Sequence, residues 1–244
     1  MDWINMFSKS EKLFNDICNL TKDDSFKKTQ VVELFALTSL LICRENLGAI
    51  NVLLKNNLYY EIFMIFRHQI ELMFRLNWII TAPDSEEMKK RVNNIEASSF
   101  RDYETELDCL KQMGNRTFFS EEDLKKIQVF SDELKQNNPH LIKDCRFMRC
   151  VNNAEMAGEL REKYYHQFRF LSMLSHPNPL SRDYFLITDD NEDIFRESFE
   201  ESCKYAMKIL NNNLDMIITL LMNSLNNITN IKELQKEFNK VAGK

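Results

Sequence analysis

Apolar residues recur at helical spacing along most of the chain. Trp3, Ile4, Phe7, Phe14, Ile17 and Cys18 predict an amphipathic first helix ending near Leu20. Ser25 can cap a long second helix running to about Asn56, with Val31, Leu34, Phe35, Leu41 and Leu53 expected among its buried positions. Asn56-Asn57 marks a turn, and a third helix covers roughly 59–80, stopped by Thr81-Ala82-Pro83. Asp84 or Ser85 then caps a charged fourth helix reaching about Met113 and ending at Gly114. Ser120-Glu121-Glu122-Asp123 is a capping box for a short fifth helix, closed by Asn137-Asn138-Pro139.

Residues 140–152 are less regular. The helical pattern returns from Asn153 to His176, as one or two helices, followed by a loop over 177–191 with a short extended piece at 184–188. A long helix then runs to about Asn223, and a polar terminal helix covers 229–242. The expected architecture is all-α: a single helical domain over 1–244 with seven to eight helices. Its core spans about 26–223, with 1–20 and 229–242 as peripheral helices.

Composition agrees with that picture. Only four Gly and four Pro punctuate the chain while 44% of residues are apolar, which favours long helices over a sheet. The net charge of −5 gives no global basic signature, so any nucleic-acid partner would be held by a local patch such as Lys143, Arg146 and Arg149. The six cysteines are scattered without metal-ligand spacing, as expected of reduced thiols in a cytoplasmic protein. The N-terminus does not read as a secretory signal. The longest uncharged apolar run, Leu34–Cys43, is too short to span a bilayer, so no membrane partner is expected. Asp189, Asp190, Glu192 and Asp193 read as an acidic helix start rather than a calcium loop. No metal and no cofactor is expected.

Two polar stripes interrupt the apolar pattern. Tyr165, Arg169, Ser172 and His176 lie within about 60° of one another at about 100° per residue. Phe168, Phe170, Leu171, Met173 and Leu174 cover most of the remaining circumference, the mark of a buried helix whose Arg and His need partners. On the third helix Glu61, Arg67, His68, Glu71 and Arg75 share a sector of about 120°, with Arg67–Glu71 and Glu71–Arg75 spaced for i, i+4 ion pairs. Such a ladder either decorates a solvated face or faces the other stripe. In the structural alternative His176 caps helix carbonyls, Ser172 bonds to the backbone and Arg169 pairs with Glu71.

Arg169 and His176, with six residues between them, resemble the Arg-(4–6 residues)-His motif of the HEPN superfamily of helical ribonucleases and toxins. Phe170 stands where that family usually has a polar residue. Arg67-x3-Glu71, Tyr164/Tyr165 and Leu171-Ser172-x3-His176-Pro177 also resemble bacterial helical proteins of unknown function, grouped with HEPN-like and abortive-infection proteins. The resemblance implies a metal-independent endoribonuclease, acting as a toxin or phage-defence effector with a neutralising or triggering protein. His176 would be the acid/base and Arg169 the phosphate ligand, with Arg67, Glu71, Tyr165 and Ser172 shaping the site. The residue types suit the chemistry: His moves the 2′-hydroxyl proton near neutrality, and Arg holds the charge of the phosphorane. Seven helical residues separate the two Cα atoms by about 10.5 Å, too far for one phosphate, so a homodimer is expected to complete the site. The other reading is a non-catalytic helical binding protein in which the same residues form a buried packing network.

Overall fold

In the computed structural model, the residues described are 2–21, 30–96, 120, 156–174, 192–222, 224 and 228–241, with isolated positions between 122 and 136. Every regular element among them is helical, so the protein is all-α. The chain divides into two compact units, 82–152 and the remainder.

The larger unit contains α1 (Trp3–Leu20), α2 (Val31–Lys55), α3 (Tyr59–Ile80), α4 (Arg161–Leu174), α5 (Glu192–Leu221) and α6 (Ile228–Val241), with a 3₁₀ turn at Gly158–Leu160 leading into α4. Asp2 caps α1 by accepting from the Asn5 amide at 3.0 Å. At the end of α2, Asn57 takes φ of 58°, while Leu58 N donates to Leu53 O and Asn57 N to Leu54 O. That is a Schellman stop, with Asn in the left-handed position that glycine more often fills.

The connectivity of side chains gives the helix directions. Ser8 and Glu11 of α1 both bond Asn51 of α2, and Glu11, the later of the two, also lies beside Gly48 one turn earlier in α2, so these helices are antiparallel. Phe63 meets Phe199 early in α3 and α5, and Gln69 meets Asn213 further along both, so α5 runs in the same sense as α3. α4 runs back along α3, with Asn77 against Ala157 and Arg67 against Ser172. The helices at 1–20 and 229–242, expected at the periphery, carry Phe7, Phe14 and Phe238, all completely buried. Phe14 and Phe238 meet edge to face at 5.3 Å.

α2 corrects one expectation. Val31, Leu34, Phe35 and Leu53 are only half-buried and Leu41 is 38% exposed, while Val32, Ala36, Leu40, Cys43, Leu47, Ile50 and Leu54 fill the core. The helix is apolar on nearly every face, so periodicity cannot say which face turns inward. The decision falls to α1, α3 and α5, which pack on the side carrying the small or amide residues Ala36, Ser39, Cys43 and Asn51.

In the smaller unit, Asp84 rather than Ser85 caps the helix beginning at 85, accepting from Glu87 N at 2.8 Å. The capping box is reciprocal: Asp123 N donates to Ser120 Oγ at 3.1 Å and Ser120 N to Asp123 Oδ2 at 3.2 Å. The Ser120 hydroxyl, donating to Asp123 Oδ2 at 2.6 Å, and then the Ser120 amide hold the Asp123 carboxyl below the ordinary carboxylate range. Ser25, Lys143, Arg146, Arg149, the 177–191 loop and His176 lie outside the described residues.

The Cys18, Cys43 and Cys203 side chains are buried. Burial pushes the Cys43 and Cys203 thiols well above their ordinary range, reinforced by Cys18 beside the first and Glu200 beside the second. A neutral alkylating reagent should therefore modify these two only at the rate at which α2 and α5 open, read by mass spectrometry of the tryptic peptides. The raised thiols also carry a sign for stability. It is intact below the unfolded-state value of about 8.5 and falls as the pH rises beyond it, because only the unfolded chain then sheds the protons. Rapid alkylation of the native protein would contradict this burial.

Candidate functional site

The junction of α3 and α4 lies within the larger unit, and its register starts at Gly158. That residue has φ of 50°, a left-handed conformation that glycine adopts without strain. It lets the chain turn from the segment at 156–157 into α4. Asn77 Nδ2 of α3 donates to Ala157 O at 3.2 Å and lies 3.4 Å from Met156 O, which ties the turn to α3. From that anchor Tyr164, Phe168 and Leu171, at i, i+4 and i+7, are driven into the core. Phe74 receives Phe168 edge-on at 5.9 Å and Tyr165 at 6.5 Å.

About four turns beyond the anchor, Ser172 comes opposite Arg67. Arg67 Nε donates to Ser172 Oγ at 3.0 Å, and the guanidinium carbon sits 5.7 Å from the centre of the Phe168 ring. One edge of the fork is thus fixed by a hydroxyl and one face by an aromatic. Among the described residues no carboxylate lies within ion-pair distance of Arg67, and no group takes its terminal Nη donors. A half-buried guanidinium held this way presents its outer edge, with paired N–H groups, to an oxyanion.

The sequence-predicted residues fall in two groups. Arg67, Glu71, Tyr165 and Ser172 gather at the α3/α4 junction and are half-buried. Arg161 rests on the Tyr165 ring at 5.7 Å. Arg169 differs from expectation: it is exposed, so it is a surface cation rather than a buried one needing a partner. The physical reason is that α4 packs through Tyr164, Phe168 and Leu171, leaving Arg169 about 100° round from Phe168. On α3, His68 and Glu61 are exposed while Arg67, Glu71 and Arg75 stay at the edge of the junction. The i, i+4 ladder is also revised, since Arg67 turns to Ser172. His176, two residues past the end of α4, lies outside the described residues.

One polar cluster escaped sequence reasoning. Gln69 and Asn213 are fully buried, and Asn213 Nδ2 donates to both Gln69 O at 3.1 Å and Gln69 Oε1 at 3.0 Å. The Cys43 thiol donates to the same Oε1 at 3.3 Å, tying α2, α3 and α5 together. Beside it, Asn212 Nδ2 donates to the Tyr164 hydroxyl at 3.1 Å, linking α5 to α4. The run Asn211-Asn212-Asn213 inside an apolar helix was the available signal, because three adjacent amides cannot all face solvent. This cluster, and not the Arg67 stripe, is the buried packing network. Among the described residues no three His, Cys, Asp or Glu side chains converge as a metal-binding group.

A model for a family described as a family of unknown function, DUF5677, matches residues 33–194 of the chain. No curated protein and no solved structure matches it.

Proposed function

We propose that this chain, which belongs to the DUF5677 family, is a HEPN-like, metal-independent endoribonuclease whose site is built on the α3/α4 junction. The observation that carries the reading is Arg67, pinned through Nε by Ser172 and over Phe168, with its Nη edge unpaired among the described residues. In this reading Arg67 holds the scissile phosphate and Arg169, exposed on α4, meets the incoming strand. His176 takes the 2′-hydroxyl proton. The 2′-oxygen then bonds to phosphorus, the bond to the 5′-oxygen breaks, and a proton returns to that leaving oxygen. Glu71 and Tyr165 shape the site beside Arg67. A homodimer supplies the second cation or acid that the spacing of Arg169 and His176 demands, and a toxin or phage-defence role would add a neutralising or triggering partner.

The test is direct. The purified chain, incubated with mixed-sequence RNA in EDTA, should cut it and leave 2′,3′-cyclic phosphate and 5′-hydroxyl ends. Cleavage that stops on chelation, or that leaves 5′-phosphates, would exclude the 2′-hydroxyl mechanism. The second reading, a non-catalytic interaction protein, is favoured by a different observation, the apolar outer face of α2. It expects intact RNA and a measurable protein partner.

A further inference from the structure

Four arginines stand in two rows along the α3/α4 junction. Arg67 and Arg75 belong to α3, Arg161 and Arg169 to α4, and along each helix the two lie about 12 Å apart. The helices run antiparallel, with Arg67 against Ser172 and Phe74 against Tyr165 and Phe168. That register sets Arg67 level with Arg169 and Arg75 level with Arg161, with Glu71 and Tyr165 midway between. On α4 the three positions Arg161, Tyr165 and Arg169 span about 80°, and α5 reaches that helix elsewhere, through Asn212 on Tyr164. Arg161 and Arg169 are exposed, and Arg67, Arg75 and Tyr165 are half-buried.

The chain has 37 acidic side chains, yet none of these four arginines takes part in an ion pair among the described residues. Aromatic rings hold two of them instead. Arg67 lies over Phe168 and Arg161 over Tyr165, each 5.7 Å from the ring centre, and the two rings stack on each other at 6.0 Å. The result is a ladder of two rings with a guanidinium at either end. A ring supports a cation without neutralising it, so both ends keep their charge for a ligand.

We propose that Arg75 and Arg161 form a second phosphate clamp, and that Tyr165, between the clamps, stacks an unpaired base of the same RNA strand. This second clamp rests on the reading of Arg67 and Arg169 as phosphate ligands. A separation of about 12 Å is too long for one phosphate to bridge, so a continuous strand satisfies both ends and a lone mononucleotide does not. Midway, the Glu71 carboxylate repels phosphate while the Tyr165 ring offers a stacking surface, which suits a base there and the backbone at the clamps. Bases of a duplex are paired and turned inward, so the strand that reaches Tyr165 is single. With a net charge of −5 the chain has no diffuse attraction for polyanions, and affinity concentrates in these few cations.

Fluorescence anisotropy of the full chain with a labelled 2′-O-methyl RNA of about 12 nucleotides tests it, because that strand lacks the hydroxyl that cleavage needs. The strand should bind, and a duplex of the same length should compete at least about tenfold less well. Arg75→Gln/Arg161→Gln should weaken binding about tenfold or more, with unchanged circular dichroism. It should also flatten the salt dependence, by about 0.7 in slope for each lost phosphate contact. Tyr165→Leu should cost about tenfold at unchanged salt slope. An abasic strand, which needs no protein variant, should bind the wild type about tenfold more weakly and should not distinguish it from Tyr165→Leu. Failure to bind the strand, equal binding of duplex or abasic strand, or wild-type affinity in the double arginine variant would overturn the proposal. Natural RNA left uncut by a chain that binds in this way would refute cleavage alone and uphold the second clamp. Cut RNA with binding indifferent to Arg75→Gln/Arg161→Gln would do the reverse.

Discussion

Replacing His176 by alanine should remove RNA cleavage while leaving helical content and melting temperature nearly unchanged, and Arg67→Ala should come close to the same loss. Loss of a general acid/base costs about 10²–10⁴ in rate, and loss of one preorganised charge on the transition state about 10²–10³. Arg67→Lys should also be badly impaired. An ammonium has no Nε to bond Ser172 and no planar edge to offer two phosphate oxygens. Ser172→Ala should be the mild member of the series, since the Phe168 ring still supports a guanidinium that has lost its hydroxyl anchor. Arg169→Lys should fall between, because an exposed side chain chooses its own geometry on binding. Initial rates on one RNA, with circular dichroism of each variant, give the ordering. Equal activity of Arg67→Lys and wild type would sink the assignment of Arg67. An inactive wild type combined with a destabilised His176→Ala would favour the interaction protein.

Asn213→Asp should be the most destabilising single polar substitution in the larger unit, and acid should partly repair it. Asn213 is fully buried and its Nδ2 faces two oxygens of Gln69. A carboxylate there turns two hydrogen bonds into acceptor–acceptor contacts and buries an unpaired charge, a defect of about 3–5 kcal/mol. Against a typical domain stability of about 5–15 kcal/mol, that is enough to lower the melting temperature sharply. The sign of the pH effect follows from burial. The folded-state value of the new carboxyl is raised above the unfolded value of about 3.9. Below that unfolded value both states are protonated and the charge defect disappears. The defect grows as the pH rises toward the folded-state value and is complete above it. Thermal melts should therefore show the variant approaching the wild type on acidification. A gap that widens in acid, or no gap at neutral pH, would contradict the buried Gln69–Asn213 contact.

The residues that sequence reasoning placed best are those decided by neighbours along the chain. The third helix was expected over 59–80 and is found over those residues, because its apolar repeat begins after the Asn56-Asn57 turn and ends at Thr81, before Pro83. The Ser120–Asp123 box was legible because both partners of each bond lie within one turn. Of the candidate site, Arg67 and Ser172 were both named, yet their bond was not. Their separation of 105 positions hides any local signal, and the register that joins them is set by Gly158 and Asn77. Gln69 was overlooked because a lone glutamine beside Arg67 and His68 reads as part of a polar face.

What the sequence by itself determined is the class of structure and the limits of its helices, since helix periodicity, caps and stops act over a few residues and need no distant partner. What the tertiary structure alone decided is orientation. α2 is apolar almost all round, so its inward side was selected by packing against α1, α3 and α5, and Leu41 and Val52 were left outside. α4 has an arginine on either reading, but the aromatic contacts of Phe168 and Tyr165 with Phe74 turn Arg169 to the surface and bring Ser172 to Arg67. A helix with one apolar stripe specifies its own burial, whereas a helix with several takes its orientation from the neighbours that fit best.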